Sequence, residues 1–161
     1  MAGDLLPADE QPATSQAQRR RRSGWLDRGL RVATAAALGI DAYVHARDAG
    51  FYDFHGGGAI SQGSLFHIEA AAAGLVALLL LAWRHPVAWL LAVAVAASAL
   101  GAVLLYRYVD VGVLGPLPDM YEPIWGVSGK LPAAYAEGTA VLLSAAGTTL
   151  AVIARNETST P

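Results

Sequence analysis

Residues 64–83 (SLFHIEAAAAGLVALLLLAW) run for twenty positions with one carboxylate, Glu69, and no lysine or arginine. As a helix rising about 1.5 Å per residue the stretch is about 30 Å long, the thickness of a bilayer's hydrocarbon core. It therefore reads as a transmembrane helix. Composition supports this: of 161 residues, 55% are hydrophobic and 15% charged, and the mean hydropathy of +0.41 is too high for an ordinary soluble domain. A charged side chain costs roughly 2.5–3.5 kcal/mol at a membrane helix centre and less near the interface, so Glu69 calls for partners on other helices.

Three more spans follow from the same criterion. The apolar run 32–40 is too short to cross alone but reaches the needed length if its helix covers about 29–48, which places Asp41 and His45 within the membrane or at its outer face. The competing reading is a signal peptide cleaved after Val44-His45-Ala46. Asp41, just after the apolar run, and the need to orient three later spans favour a retained helix. The third span, 86–109, opens on Pro86, suited to a first helical turn, and spaces Ala97 and Gly101 for close backbone contact. The fourth, 132–154, carries Glu137 one to two turns in.

The predicted fold is all-α, a four-transmembrane-helix bundle over 25–155, with a disordered tail at 1–24 and a polar tail at 156–161. Tyr43-Val44-His45 followed by Glu69 is echoed by Tyr108-Val109-Asp110 followed by Glu137. The echo fits two same-orientation helical hairpins, or chance similarity of alanine-rich helices.

Charge sets the expected orientation. Arg19, Arg20, Arg21, Arg22, Arg28, Arg31, Arg84 and Arg155 fall on one side of such a bundle, and Arg47, Arg107 and Lys130 on the other. The positive-inside rule makes the first side, with both termini, cytoplasmic in a bacterial plasma membrane. The arginine run at 19–22 then serves topology and anionic headgroups rather than nucleic acid. Trp25, Trp83 and Trp89 read as interfacial anchors. Two connections face outward: 50–63, with Phe51, Tyr52, Phe54, Asp53 and His55, and 110–131, whose three prolines and four glycines predict a structured non-helical loop. Within the latter, Asp119, Tyr121, Glu122 and Trp125 are the candidate contact residues for a lid or an external ligand. The absence of cysteine excludes disulfides, iron–sulfur ligation and thiolate zinc sites. No phosphate loop, dinucleotide fingerprint, nucleophile elbow or Ser/His/Asp arrangement is present.

Asp41, Glu69 and Glu137 fall at a similar depth, roughly 7–10 Å below the outer surface, with Arg107 slightly shallower. Asp41 and His45, four apart, share a helix face. Four helices each presenting an ionisable group at one level suggest a shared internal network. In one reading Arg107 neutralises one or two of the acids, with Tyr43, Tyr106, Tyr108 or Tyr135 completing the hydrogen bonds and no ligand needed. In another, Asp41, His45, Glu69 and Glu137, with His67 or His55 as further candidates, bind a divalent metal, carboxylate plus imidazole suiting zinc, iron or manganese. A third is a proton or ion relay or a small-ligand pocket. Below the cluster only Thr34, Ser98, Ser144, Thr148 and Thr149 are polar, which argues for a one-sided site rather than a channel.

The segments Asp41-Ala42-Tyr43-Val44-His45, Phe66-His67-Ile68-Glu69, Tyr106-Arg107-Tyr108-Val109-Asp110 and Pro118-Asp119-Met120-Tyr121-Glu122-Pro123 together resemble small four-span membrane proteins of high-GC bacteria. The resemblance implies fold and location and supplies no activity. The expected role is a non-enzymatic accessory or structural membrane component in contact with lipid, alone or as a homo- or hetero-oligomer. The alternative is a metal- or ion-binding protein, a transporter or redox subunit.

Overall fold

The computed structural model describes the backbone of residues 10–54, 57–127 and 129–158, and the side chains of 24–53, 57–127 and 129–156. The first nine residues of the expected tail, the side chains of Arg19–Arg22 and Phe54, and His55 lie outside this description.

Four helices make the fold: α1 (Glu10–Asp48), α2 (Gln62–Ala82), α3 (Pro86–Tyr108) and α4 (Lys130–Thr158). Among the described residues there are no strands, only an isolated bridge between Leu114 and Leu117. Three helices, α2, α3 and α4, are long and apolar enough to cross a membrane. α1 differs from expectation at its start: helical backbone begins at Glu10, where an irregular tail is expected up to residue 24. The sequence allows it, since glutamine, alanine and arginine are good helix formers and Pro12 sits in the first turn.

Local chemistry sets the other ends. Ser61 caps α2 by accepting from the Ser64 N–H at 3.1 Å. His85 caps α3 by accepting from the Val87 N–H at 3.3 Å, ahead of Pro86 in the first turn. The α2–α3 connection is only Trp83, Arg84 and His85, so these helices run antiparallel.

Each helix packs on its neighbours in the chain and α1 closes the ring against α4, with α2–α3 the loosest seam. One end carries the two long connections and is called the loop end; the other, with the α2–α3 turn, is the turn end. Alanine lets the helices approach. Ala88, Ala92, Ala96 and Ala99 form the buried stripe of α3, whereas Ala97 and Gly101, expected to mediate close contact, face outward. Toward the turn end the core closes around Leu38, Leu80 and Trp89, all fully buried. Gly147 lies so close to the Trp89 ring that a Cβ there would stand 2.5 Å from its carbons.

Trp89 is thus a core residue, not the expected interfacial anchor. Trp25 and Trp83 are exposed, and Trp83 stacks on His85. Arg31, read as a surface topology residue, is buried instead. Its Nη1 donates to the Leu80 and Trp83 carbonyls at 3.0 and 3.1 Å, its Nε donates to Asp27 at 2.9 Å, and its guanidinium lies 5.0 Å from the Trp89 ring centre. It therefore satisfies carbonyls that the end of α2 leaves without helical partners.

At the loop end the two connections interlock. The Ile60 N–H donates to the Pro116 carbonyl at 3.0 Å, and Gly58 runs so close to the 116–118 backbone that a side chain has no room. Gly63 packs equally tightly on the Ala49 carbonyl, joining the end of α1 to the start of α2. Asp53 accepts a hydrogen bond from Ser61.

Candidate metal centre

The loop-end halves of α1 and α4 supply the site because they pack side by side. Asp41 and His45 occupy one face of α1, a turn apart. Across from them α4 presents Glu137, with Ala133, Ala136 and Ala140 buried around it. Asp41 and Glu137 are fully buried, and the His45 side chain is 9% exposed. The edge of the His45 ring meets Phe66 of α2, with centroids 5.0 Å apart and planes at 79°, which holds the imidazole upright between the helices.

His45 Nδ1 lies 3.1 Å from the Asp41 carbonyl in hydrogen-bond geometry and 2.8 Å from Asp41 Oδ1. Nδ1 faces two Asp41 acceptors and so carries a proton toward them, and Nε2 lies 3.9 Å from Glu137 Oε1. One ligand atom each from Asp41, His45 and Glu137 lie within 4.8 Å of one another. Zinc bonds to nitrogen and carboxylate oxygen are about 2.0–2.2 Å, so ligand atoms stand roughly 3–4.4 Å apart around one ion, and small side-chain shifts close the set. Carboxylate and imidazole donors suit zinc, manganese or iron.

The carboxylates have too few donors. Among the described residues, Asp41 Oδ2, both oxygens of Glu137 and Oε1 of Glu69 are buried without a hydrogen bond, whereas Asp41 Oδ1 has His45 Nδ1 at 2.8 Å. Buried acids without donors are costly unless protons or a cation neutralise them. Arg107, expected to do so, does not. Its guanidinium lies 5.0 Å from the Tyr108 ring centre and 5.5 Å from that of Trp125, and among the described residues it makes no ion pair with Asp41, Glu69 or Glu137. Tyr108 and Trp125, which the 110–131 loop brings together, give the cation two ring faces.

The tyrosines are also redistributed. Tyr43 and Tyr135 are among the most exposed large side chains and complete no hydrogen bond in the cluster. The Tyr106 carbonyl accepts from the Glu122 N–H at 3.0 Å. His67 is exposed, away from the acids. Glu69 approaches the group from α2 and stands beside the three converging ligands rather than among them.

The loop residues hold each other. Glu122 pairs with Lys130 at 2.8 Å and accepts from the Tyr52 hydroxyl at 3.1 Å, while Lys130 Nζ also donates to the Glu122 carbonyl at 2.7 Å. Burial, then the adjacent Glu122 carboxylate, push the Tyr52 phenol well above its ordinary range, so it remains a donor at neutral pH. Asp119 accepts from the Tyr121 N–H at 2.9 Å and shapes the turn. Tyr121 is exposed.

Fold and site together define an α-helical bundle with three membrane-compatible helices and a buried carboxylate–imidazole cluster at its loop end. No protein-family model, curated protein or solved structure matches this chain.

Proposed function

We propose that this chain is a four-span integral protein of a bacterial plasma membrane that holds a divalent cation in the outer leaflet through Asp41, His45 and Glu137. The fourth crossing is the 29–48 part of α1, which lies against α2 and α4 along the bundle. Both termini are cytoplasmic, on the side richer in arginine, and the loop end faces out. The role is that of a non-enzymatic accessory component built around a cation. The observation that carries this reading is the convergence of three buried ligand residues, of which Asp41 Oδ2 and both Glu137 oxygens lack a donor among the described residues, while Arg107 lies against Tyr108 and Trp125.

Three protein ligands leave a fourth position for water, an arrangement suited to exchange or handover of the ion. The test is elemental analysis of protein purified in mild detergent without chelator, beside an Asp41→Asn/His45→Ala double variant. Near-stoichiometric zinc, manganese or iron in the wild type, lost in the variant, is the expected result. No metal in the wild type even after loading with each of the three refutes it.

A further inference from the structure

A cavity of about 560 Å3, within the range of small-molecule sites, lies beside the metal centre. α1 and α4 form its back, and Leu117 and Met120 of the outer loop contribute its roof. Its walls are chiefly apolar; Glu69 and His45 are its polar groups beside the metal centre, and Asp48, Gln62, Glu122 and Lys130 line it nearer the loops.

The mouth is the loose α2–α3 seam. Ile68, Ala102 and Leu105 line the cavity and are also exposed on the bundle's perimeter. All three lie within candidate membrane helices, so in the proposed topology this opening faces lipid, and the exposed Leu114 of the outer loop lines the cavity on its water side.

The end beside the metal centre carries acceptor charge with nothing to receive it. Among the described residues Glu69 Oε1 is buried with no donor. Lys130 also lines the cavity, but Glu122 holds it through both carboxylate and carbonyl. A divalent ion at the metal centre would be balanced by Asp41 and Glu137 with a neutral His45, leaving the Glu69 charge uncompensated. An anionic headgroup would be repelled there, and a purely apolar molecule would leave a buried carboxylate unpaired.

We propose that the cavity binds a lipophilic organic cation, a protonated amine or an onium, which passes from the lipid between α2 and α3 and rests its charge beside Glu69. Its apolar body replaces lipid contacts with those of the cavity wall, and its charge supplies the partner that Glu69 lacks.

The experiment uses the full chain in nanodiscs of zwitterionic phosphatidylcholine and equilibrium binding of radiolabelled tetraphenylphosphonium. Tetraphenylborate serves as the anion of the same shape. The wild type is expected to bind the phosphonium saturably without competition from the borate. Glu69→Gln, which keeps shape and removes charge, is expected to weaken binding roughly tenfold or more. Ala102→Trp, which fills the mouth without touching charge, is expected to abolish it. Absence of saturable binding to wild type, unchanged affinity in the Glu69 variant, or equal competition by the borate overturns the proposal. Metal content read on the same samples separates the two readings: phosphonium binding without metal refutes the metal site alone, and metal without phosphonium binding refutes the cavity ligand alone.

Discussion

Arg31→Met is expected to be among the most destabilising single substitutions in the bundle. The side chain is 8% exposed, and methionine fills similar space without charge or donors. The two hydrogen bonds to the Leu80 and Trp83 carbonyls come from a charged donor, a kind worth about 1.5–3 kcal/mol each. The cation over the Trp89 face adds about 1–2 kcal/mol where water is scarce. The Asp27 pair adds under about 1 kcal/mol because its carboxylate is 40% exposed. Contributions that share one side chain overlap, so a loss of about 3–5 kcal/mol is expected.

Reversible unfolding in mixed micelles of a mild detergent and SDS reads that loss directly. Arg31→Lys should recover only part of it, because an ammonium cannot span two carbonyls, a carboxylate and a ring as a guanidinium fork does. Asp27→Asn should cost less than about 1 kcal/mol. If Arg31→Met unfolds within about 1 kcal/mol of wild type, with orientation in the membrane unchanged, the buried role assigned to this arginine is wrong.

Two further predictions concern packing and the loops. Gly147→Ala drives a methyl into the Trp89 ring and should destabilise by about 1–3 kcal/mol; Trp89→Phe should relieve part of it, so the pair measured in the same micelles must be less than additive. Lys130→Met removes the charged partner of the Glu122 carboxylate, leaving Tyr52, and hydrogen exchange across 110–127 should quicken while the helices keep their protection. Tyr52→Phe should act in the same direction more weakly, by about 1 kcal/mol. Unchanged exchange in the Lys130 variant would show that the Glu122–Lys130 pair does not hold the loop.

Much of the architecture was legible because membrane-compatible helices declare themselves by length and composition. The expected 64–83 and 86–109 lie within two residues of α2 and α3 at each end. The pairing of Asp41 with His45 was legible as well, since residues four apart share a helix face whatever surrounds them. Rotation about the helix axis was harder to read. Ala97 and Gly101 have the right spacing but the wrong face, because α3 is alanine-rich all round and its spacing alone does not select the stripe. The destination of long side chains was hidden for a different reason. Arg31 reads in the sequence as a cytoplasmic-side arginine and Arg107 as the neutraliser of the acids, yet one is drawn inward by the open carbonyls of α2 and the other lies against Tyr108 and Trp125. Leu80 and Trp125 lie 49 and 18 positions away, and only the fold brings them near. Trp89 misled through its position near a helix start, since an indole there reads as an anchor until Gly147 opens a slot for it.

The wedge of Trp89 against Gly147, with Arg31 behind it, also has an electrical meaning. In the proposed orientation it makes the cytoplasmic half of the bundle a dry insulator, while the outer half contains the cavity and the charged cluster. Most of a transmembrane voltage then drops across the insulating half. Carrying one elementary charge through the full field is worth about 2.3 kcal/mol per 100 mV, but an ion reaching Asp41 from outside stops short of most of that drop. Occupancy of the centre should therefore follow the external ion concentration and respond only weakly to the state of energisation of the membrane.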